Sequence, residues 1–204
     1  MTGGDDAHLV ERFVSSEPRL SGGYLTVVRD TVALPDGSQA TREYIRHPGA
    51  VAVIPILDDG RIVMVRQFRY AVGRILLEFP AGKIDPGEPV LACAVRELAE
   101  ETGYTAREWA RAGGFHNAAA YSTETMEIWF ARGLHPGPQR LDPGEFLEVL
   151  AVDAAELDRL AGSGELPDMK TMIGLQWLQR WRAGGWPLQW VDARGASTIA
   201  GAAR

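Results

Sequence analysis

Between Gly82 and Tyr104 the chain reads Gly-Lys-Ile-Asp-Pro-Gly-Glu-Pro-Val-Leu-Ala-Cys-Ala-Val-Arg-Glu-Leu-Ala-Glu-Glu-Thr-Gly-Tyr, which sets Glu97, Glu100 and Glu101 within little more than one helical turn. Asp85-Pro86-Gly87 marks a turn, Pro89 suits the first helical position and Gly103 suits the residue just past the helix end. At about 100° per residue, Leu91, Ala94, Val95, Leu98 and Thr102 share one stripe. That stripe predicts the core-facing side. Glu97 and Glu101 stack at its flank, and Glu100 lies about 60° further round. Like charges four residues apart cost an isolated helix about 0.2–0.5 kcal/mol, with Arg96 as local compensation, so helix stability does not select this arrangement. Ala92 and Ala99 occupy the other flank and Cys93 lies among the acids, which predicts cover on more than one side. Carboxylates gathered in a partly covered cleft suit a hard divalent cation with oxygen ligands, Mg²⁺ above all. A solvated acidic face is the plainer reading of a bare Arg-Glu-x-x-Glu-Glu segment.

The rest of the chain supplies strands around this helix. Tyr24 to Asp30 and Thr41 to Arg46 read as two strands joined through Leu34-Pro35-Asp36-Gly37, a small N-terminal β-rich element. Val51 to Leu57, Arg61 to Tyr70 and Ile75 to Phe79 read as strands leading into the acidic helix. Further strands are expected near Trp109 to Gly113, Thr125 to Arg132 and Phe146 to Val152. Two helices follow, Ala154 to Ala161 and Lys170 to Ala183, with Asp153 and Asp168 as their N-caps. The fold class is therefore α/β, a mixed sheet flanked by helices. Residues 1–47 form the β-rich element, 48–190 the main domain and 191–204 an Ala- and Gly-rich tail expected to fray. Ile173, Trp177 and Trp181 recur at helical spacing, which favours core or dimer packing over a base-stacking platform.

With 204 residues, 46% of them hydrophobic, the chain suffices for one well-packed domain and a small appendage. The polar, acidic N-terminus lacks a signal-peptide core, and no stretch approaches the roughly 20 apolar residues of a membrane span. A cytoplasmic location, with neither membrane nor nucleic-acid partner, is expected. Cys93 is the one cysteine, which excludes an internal disulfide and leaves it as a small packing group. The four histidines are scattered, and no Cys/His spacing suggests zinc.

Gly82, five residues, Glu88, seven residues, Arg96-Glu97, two residues, Glu100-Glu101, one residue and Gly103 together match the Nudix box. The chain thus resembles the Nudix hydrolases, departing from their pattern at Tyr104, where an aliphatic residue is usual. The resemblance implies an α/β/α sandwich and cleavage of a nucleoside diphosphate linked to another moiety. Mg²⁺ is the implied cofactor, with Mn²⁺ as a substitute. Glu97 and Glu101 resemble the principal metal ligands, Glu100 a ligand to the same or a second ion, and the Ala81 carbonyl a further ligand. Glu88 and Arg96 resemble the ion pair that orients the loop beginning at Gly82.

Val65-Arg66-Gln67-Phe68-Arg69-Tyr70, Leu77-Glu78-Phe79-Pro80-Ala81-Gly82, Leu141 to Val149 and Pro167-Asp168-Met169-Lys170-Thr171-Met172 narrow the resemblance to the ADP-ribose pyrophosphatase branch. It extends from about His47 to Trp181. By this resemblance Arg69 binds substrate phosphate, Glu78 contacts ligand or braces the loop, and Glu145 is the mobile-loop glutamate that completes the metal site or accepts the water proton. Glu148 is its rival, and strand alternation favours Glu145. The branch usually carries a proline in the loop after the box, whereas Phe115 to Glu124 has none. That departure leaves ADP-glucose and GDP-mannose open beside ADP-ribose. A homodimer is also implied. The alternatives are a non-cleaving nucleotide-sugar sensor and a hydrolase of dinucleotides or coenzyme A.

Overall fold

The computed structural model describes residues 6–192. Contacts divide the chain into two compact units: one runs to Pro48 and takes in Ala118–Glu124, and the other holds Gly49–Asn117 and the chain from Thr125 onward.

The first unit is an antiparallel sheet of β1 (Arg12–Ser21), β2 (Thr26–Ala33) and β3 (Gln39–Arg46). The hairpin expected through Leu34–Gly37 is present, with β2 and β3 in register from Thr26↔Arg46 to Ala33↔Gln39. Gly37 takes φ +87° there and donates its N–H to Leu34 O at 3.0 Å. Strand β1 was not expected. Its ten residues are all exposed and show no apolar alternation, and Pro18 sits at a register shift, so backbone pairing with β2 defines it. Ile45 also bonds the 118–124 segment, accepting from Thr123 N at 3.0 Å and donating to Tyr121 O at 2.8 Å.

In the second unit the sheet order is β10 (Leu147–Val152), β5 (Ile62–Arg69), β4 (Ala50–Ile56), β9 (Thr125–Pro136), β8 (Tyr104–His116) and β11 (Val191–Asp192). The β4–β9 pair is parallel and the other pairs are antiparallel, which makes the sheet mixed. Short strands β6 (Arg74–Glu78) and β7 (Ala81–Lys83) pair with β5 and β4. Every residue of β4 is buried, as expected of a central strand covered on both faces. Val51 and Val53 pack with Leu91, Cys93, Ala94 and Leu98 of α1 (Val90–Thr102). Ala52, Ile54 and Ile56 face the opposite cluster, where Leu157 of α2 (Ala154–Gly162) and Leu175 and Leu178 of α3 (Met169–Arg182) close the core. Alternation along one strand thus builds both layers of an α/β/α sandwich. Burying each such aliphatic side chain contributes roughly 1.5–3 kcal/mol.

Several local expectations shift by physical detail. Pro89 is the N-cap of α1 in extended geometry, not its first helical residue. Asp168 caps α3 through Thr171 N, whereas Asp153 stands at the α2 N-cap without a side-chain cap bond. Val191–Asp192, assigned to the tail, pair with β8 at Trp109 and Glu108, and residues 193–204 lie outside the described residues. Trp177 and Trp181 pack against the core as expected, with Trp181 5.7 Å from Phe130 and 5.8 Å from Trp190 between ring centroids. Gly103 ends α1 at φ +73°, and a Cβ there would also lie 2.3 Å from Gly137 O.

Candidate active site

Strand β7 runs alongside α1 so closely that the side chain of Glu97 occupies the space a side chain at position 82 would need. A Cβ built on Gly82 would stand 1.9 Å from the Glu97 carboxyl carbon and 2.0 and 2.2 Å from its two oxygens. Gly82 is therefore a cradle for a carboxylate, which is the physical reason glycine stands at this position. One residue earlier, Ala81 N–H donates to Glu101 Oε2 at 3.0 Å. The strand thus meets the helix at two consecutive positions, by a hydrogen bond at Ala81 and by close approach at Gly82.

Arg96 organises the opposite flank. Its Nε and Nη2 each donate to Glu88 at 2.9 Å, Nη2 reaches Lys83 O at 3.1 Å, and Nη1 donates to Glu97 at 2.7 Å and Glu100 at 3.0 Å. Glu88 also accepts from Asp85 N at 3.1 Å, so the pair fastens the turn before α1 to the helix. The Arg96 guanidinium holds the Glu88 carboxyl down at about 2. Cys93 is fully buried, with its thiol donating to Lys83 O at 3.3 Å, and burial pushes that thiol well above its ordinary range.

Glu101 differs from the others. It is 3% exposed and its hydrogen-bond partner is the neutral Ala81 N–H, so burial pushes it up to about 8, with Glu145 and Glu97 adding repulsion. Burial also raises Glu97, against the pull of Arg96, and Glu100 and Glu145 raise it further. Ionising Glu101 without a cation costs on the order of a few kcal/mol. Among the described residues no three acidic, His or Cys side chains already stand in metal-ligand geometry. The acids rest instead on the donors Arg96 and Ala81 N–H. The donor set nonetheless fits a hard divalent ion: carboxylate and backbone oxygens, a glycine cradle, and a buried acid whose charge lacks a bonded cation.

This carries a pH consequence. Glu101 keeps its proton in the folded, metal-free protein up to about pH 8 but loses it in the unfolded chain near 4.5. A raised carboxyl means the folded state binds more protons, so metal-free stability should fall as pH rises through that window. Divalent metal needs the carboxylate, so binding at pH 7 should release a proton, and the release should fade above pH 8. Calorimetric titration with Mg²⁺ in buffers of different ionisation enthalpy measures this directly. Proton-neutral binding at pH 7 would contradict it.

Arg69 and Glu78 stand opposite Arg74 and Val65 in the β5–β6 register, and their side chains meet on the diagonal. Arg69 Nε and Nη2 each donate to a Glu78 oxygen at 2.8 Å, and Lys170 Nζ also bonds Glu78 Oε2. The Glu78 side chain is 1% exposed, whereas that of Arg69 is 40% exposed. Of the two roles open to Glu78, this geometry is that of a brace, with Arg69 as the solvent-facing group. Arg66 points elsewhere, pairing with Glu148 at 2.8 Å. Glu145 instead accepts from Gln67 Nε2 at 3.4 Å and lies near enough to Glu97 and Glu101 to repel both. Gly144 before it takes φ +89°. The structure brings Glu145, Glu97, Glu100, Glu101, Ala81 and Arg69 to one region and leaves Glu148 with Arg66. Lys170 and Gln67 were missed by sequence reading, although both stand inside segments that carried the resemblance.

An acid-bearing helix is thus locked to the strand Ala81–Lys83 within an α/β/α sandwich. The NUDIX domain model matches residues 46–170, and the chain belongs to the Nudix family. It is 38% identical over 173 residues to an ADP-ribose pyrophosphatase of Bacillus subtilis (strain 168), covering 84% of this chain and 94% of that protein. It is 35% identical over 171 residues to a methanol dehydrogenase activator of Bacillus methanolicus, covering 83% and 92%. A solved structure described as an ADP compounds hydrolase superposes with a TM-score of 0.77 at 26% identity, covering 85% of this chain and 95% of that one.

Proposed function

We propose that this protein hydrolyses the pyrophosphate bond of ADP-ribose or a related nucleoside diphosphate sugar, releasing a nucleoside monophosphate and a sugar phosphate. The observation that carries it is the fold of the box segment, with Glu97 cradled at Gly82 and Glu101 buried against Ala81. The names of relatives such as the Bacillus subtilis ADP-ribose pyrophosphatase support the substrate class. Glu97, Glu100, Glu101 and the Ala81 carbonyl would hold Mg²⁺, or Mn²⁺ in its place. A bound divalent ion supplies Lewis acidity toward the diphosphate oxygens and the attacking water. Arg69 holds a phosphate through its guanidinium, which presents paired donors matched to phosphate oxygens. Glu145 accepts the proton as the water oxygen bonds to phosphorus and the second phosphate leaves with the bridging oxygen.

We further infer cytoplasmic operation as a homodimer on a small-molecule substrate, without a nucleic-acid partner. Residues 48–190 carry the chemistry, and 1–47 serve dimer contact. Phe68, Ile75 and Phe146 are 55%, 58% and 83% exposed and border a cavity of about 330 Å³ with Leu141 and Leu147. This surface, apolar apart from the Arg66–Glu148 pair beside it, suits a second copy. Among the described residues no helix is long and apolar enough to cross a membrane.

The test is a hydrolysis screen with Mg²⁺ and Mn²⁺ across ADP-ribose, ADP-glucose, GDP-mannose, dinucleotides and coenzyme A, with products identified. Cleavage of none of the diphosphate sugars would refute the proposal. Separate replacement of the two loop-region acids assigns the proton acceptor. Glu145→Gln should lower kcat by about 10² or more, the scale of general-base catalysis. Glu148→Gln removes an exposed ion pair worth under about 1 kcal/mol and should leave kcat nearly unchanged. The reverse ranking would move the role to Glu148.

A further inference from the structure

The first turn of α3 makes contacts that the chemistry above does not use. Lys170 Nζ bonds both Glu78, 92 residues earlier in the chain, and Asp168 at 3.0 Å. Asp168 in turn accepts from Thr171 N at 3.0 Å and from the Thr171 hydroxyl at 2.6 Å, and that hydroxyl accepts from Phe79 N at 3.2 Å. One helical turn therefore grips two consecutive residues, Glu78 by its carboxylate and Phe79 by its backbone. Two residues further on, Ala81 holds Glu101. The Lys170 side chain is 10% exposed and that of Glu78 1%, so this is an interior network, where a carboxylate needs full compensation.

We propose that Lys170 is a positioning residue for the phosphate-binding arginine, which deepens the proposed function and rests on it. Arg69, Glu78, Lys170 and Asp168 form an alternating, charge-neutral set. Because Lys170 shares Glu78 Oε2, the carboxylate does not depend on Arg69 alone, and the guanidinium spends Nε and Nη2 there while Nη1 stays outside the pair. Without Lys170, Glu78 draws the whole guanidinium inward and Arg69 is lost to phosphate. The same turn, through Thr171 and Phe79, keeps Arg69 in register with the Ala81 end of the metal-binding acids. Diphosphate and cation are thereby set at one spacing by a helix that touches neither.

The experiment compares wild type, Lys170→Met, Lys170→Arg and Lys170→Met combined with Glu78→Gln. Three readouts serve: ADP affinity by calorimetry in Mg²⁺, the KM and kcat split on the best substrate of the screen, and the melting temperature. Lys170→Met should weaken ADP binding and raise KM about tenfold with kcat changed less than about threefold, the signature of lost uniform binding. Lys170→Arg should stay within about threefold of wild type, since it keeps a positive charge at Glu78. The double variant should recover ADP affinity because no uncompensated carboxylate remains to hold Arg69. Should Lys170→Met not fold, Lys170→Gln is read the same way. Unchanged ADP affinity in Lys170→Met, or a fall in melting temperature with kcat loss and no recovery in the double variant, overturns the proposal. A wild-type protein that binds ADP yet cleaves no diphosphate sugar would sink the reaction assigned above, while the affinities would still decide the role of Lys170.

Discussion

Glu101→Gln should lower turnover by more than about 100-fold, beyond the roughly 10–100-fold that outer-shell partners of a bound metal are worth, and should leave the fold intact. The exchange is nearly isosteric and the amide still accepts from Ala81 N–H, so packing survives. What disappears is an anionic oxygen ligand. The stability readout separates this from a structural lesion. Wild-type Glu101 is pushed up to about 8, so below that pH its carboxyl is protonated in the metal-free fold and glutamine mimics it closely. Above pH 8 the wild type carries a buried charge that the variant lacks. Metal-free Glu101→Gln should therefore melt at or above the wild-type temperature at pH 9, while Mg²⁺ should stabilise it far less. A melting temperature depressed at every pH, with turnover retained, would mean Glu101 is a brace and not a ligand.

Gly82→Ala should cost the protein most of its activity. A Cβ 1.9 Å from the Glu97 carboxyl carbon cannot coexist with that carboxylate, and Glu97 must swing out of its cradle. Gly82 is not among the glycines with positive φ, so the backbone accepts alanine and the injury is confined to the displaced acid. Activity should fall by about 100-fold or more, as expected when one metal ligand is misplaced by more than about 1 Å. Adding Glu97→Ala relieves the clash, so the double variant should regain melting temperature without regaining activity. Wild-type turnover in Gly82→Ala would remove Glu97 from the metal site.

The α1 boundaries, its buried stripe and the central strands were legible because periodicity and turn residues act locally. Leu91, Ala94, Leu98 and Thr102 are buried as the helical repeat demanded, Val95 is half-buried, Cys93 is buried although it was read among the acids, and Gly103 ends the helix at the expected place. Strand β1 was invisible for the converse reason: its residues bury nothing, and β2 alone gives its backbone a partner. The long β8 strand began earlier than expected, at Tyr104, because pairing with β9 overrides the weak strand pattern of Tyr104 to Glu108.

The site divides in the same way. Spacing put Glu97, Glu100 and Glu101 on one helix, and the Nudix resemblance attached Gly82, Glu88, Arg96, Arg69 and Glu145 to them. Spacing could not tell which acid would be buried. Glu101 is, and Glu100 is not, because β7 and the Ala81 N–H lie on one side of α1. Nor could it tell that Glu78 would be held by two cations, one of them from a helix 92 residues away. Sequence by itself determined which groups could carry the chemistry, since residue type and helical period are properties of adjacent positions. Tertiary structure decided their protonation, their partners and their exposure, because desolvation and charge pairing depend on what distant segments bring alongside.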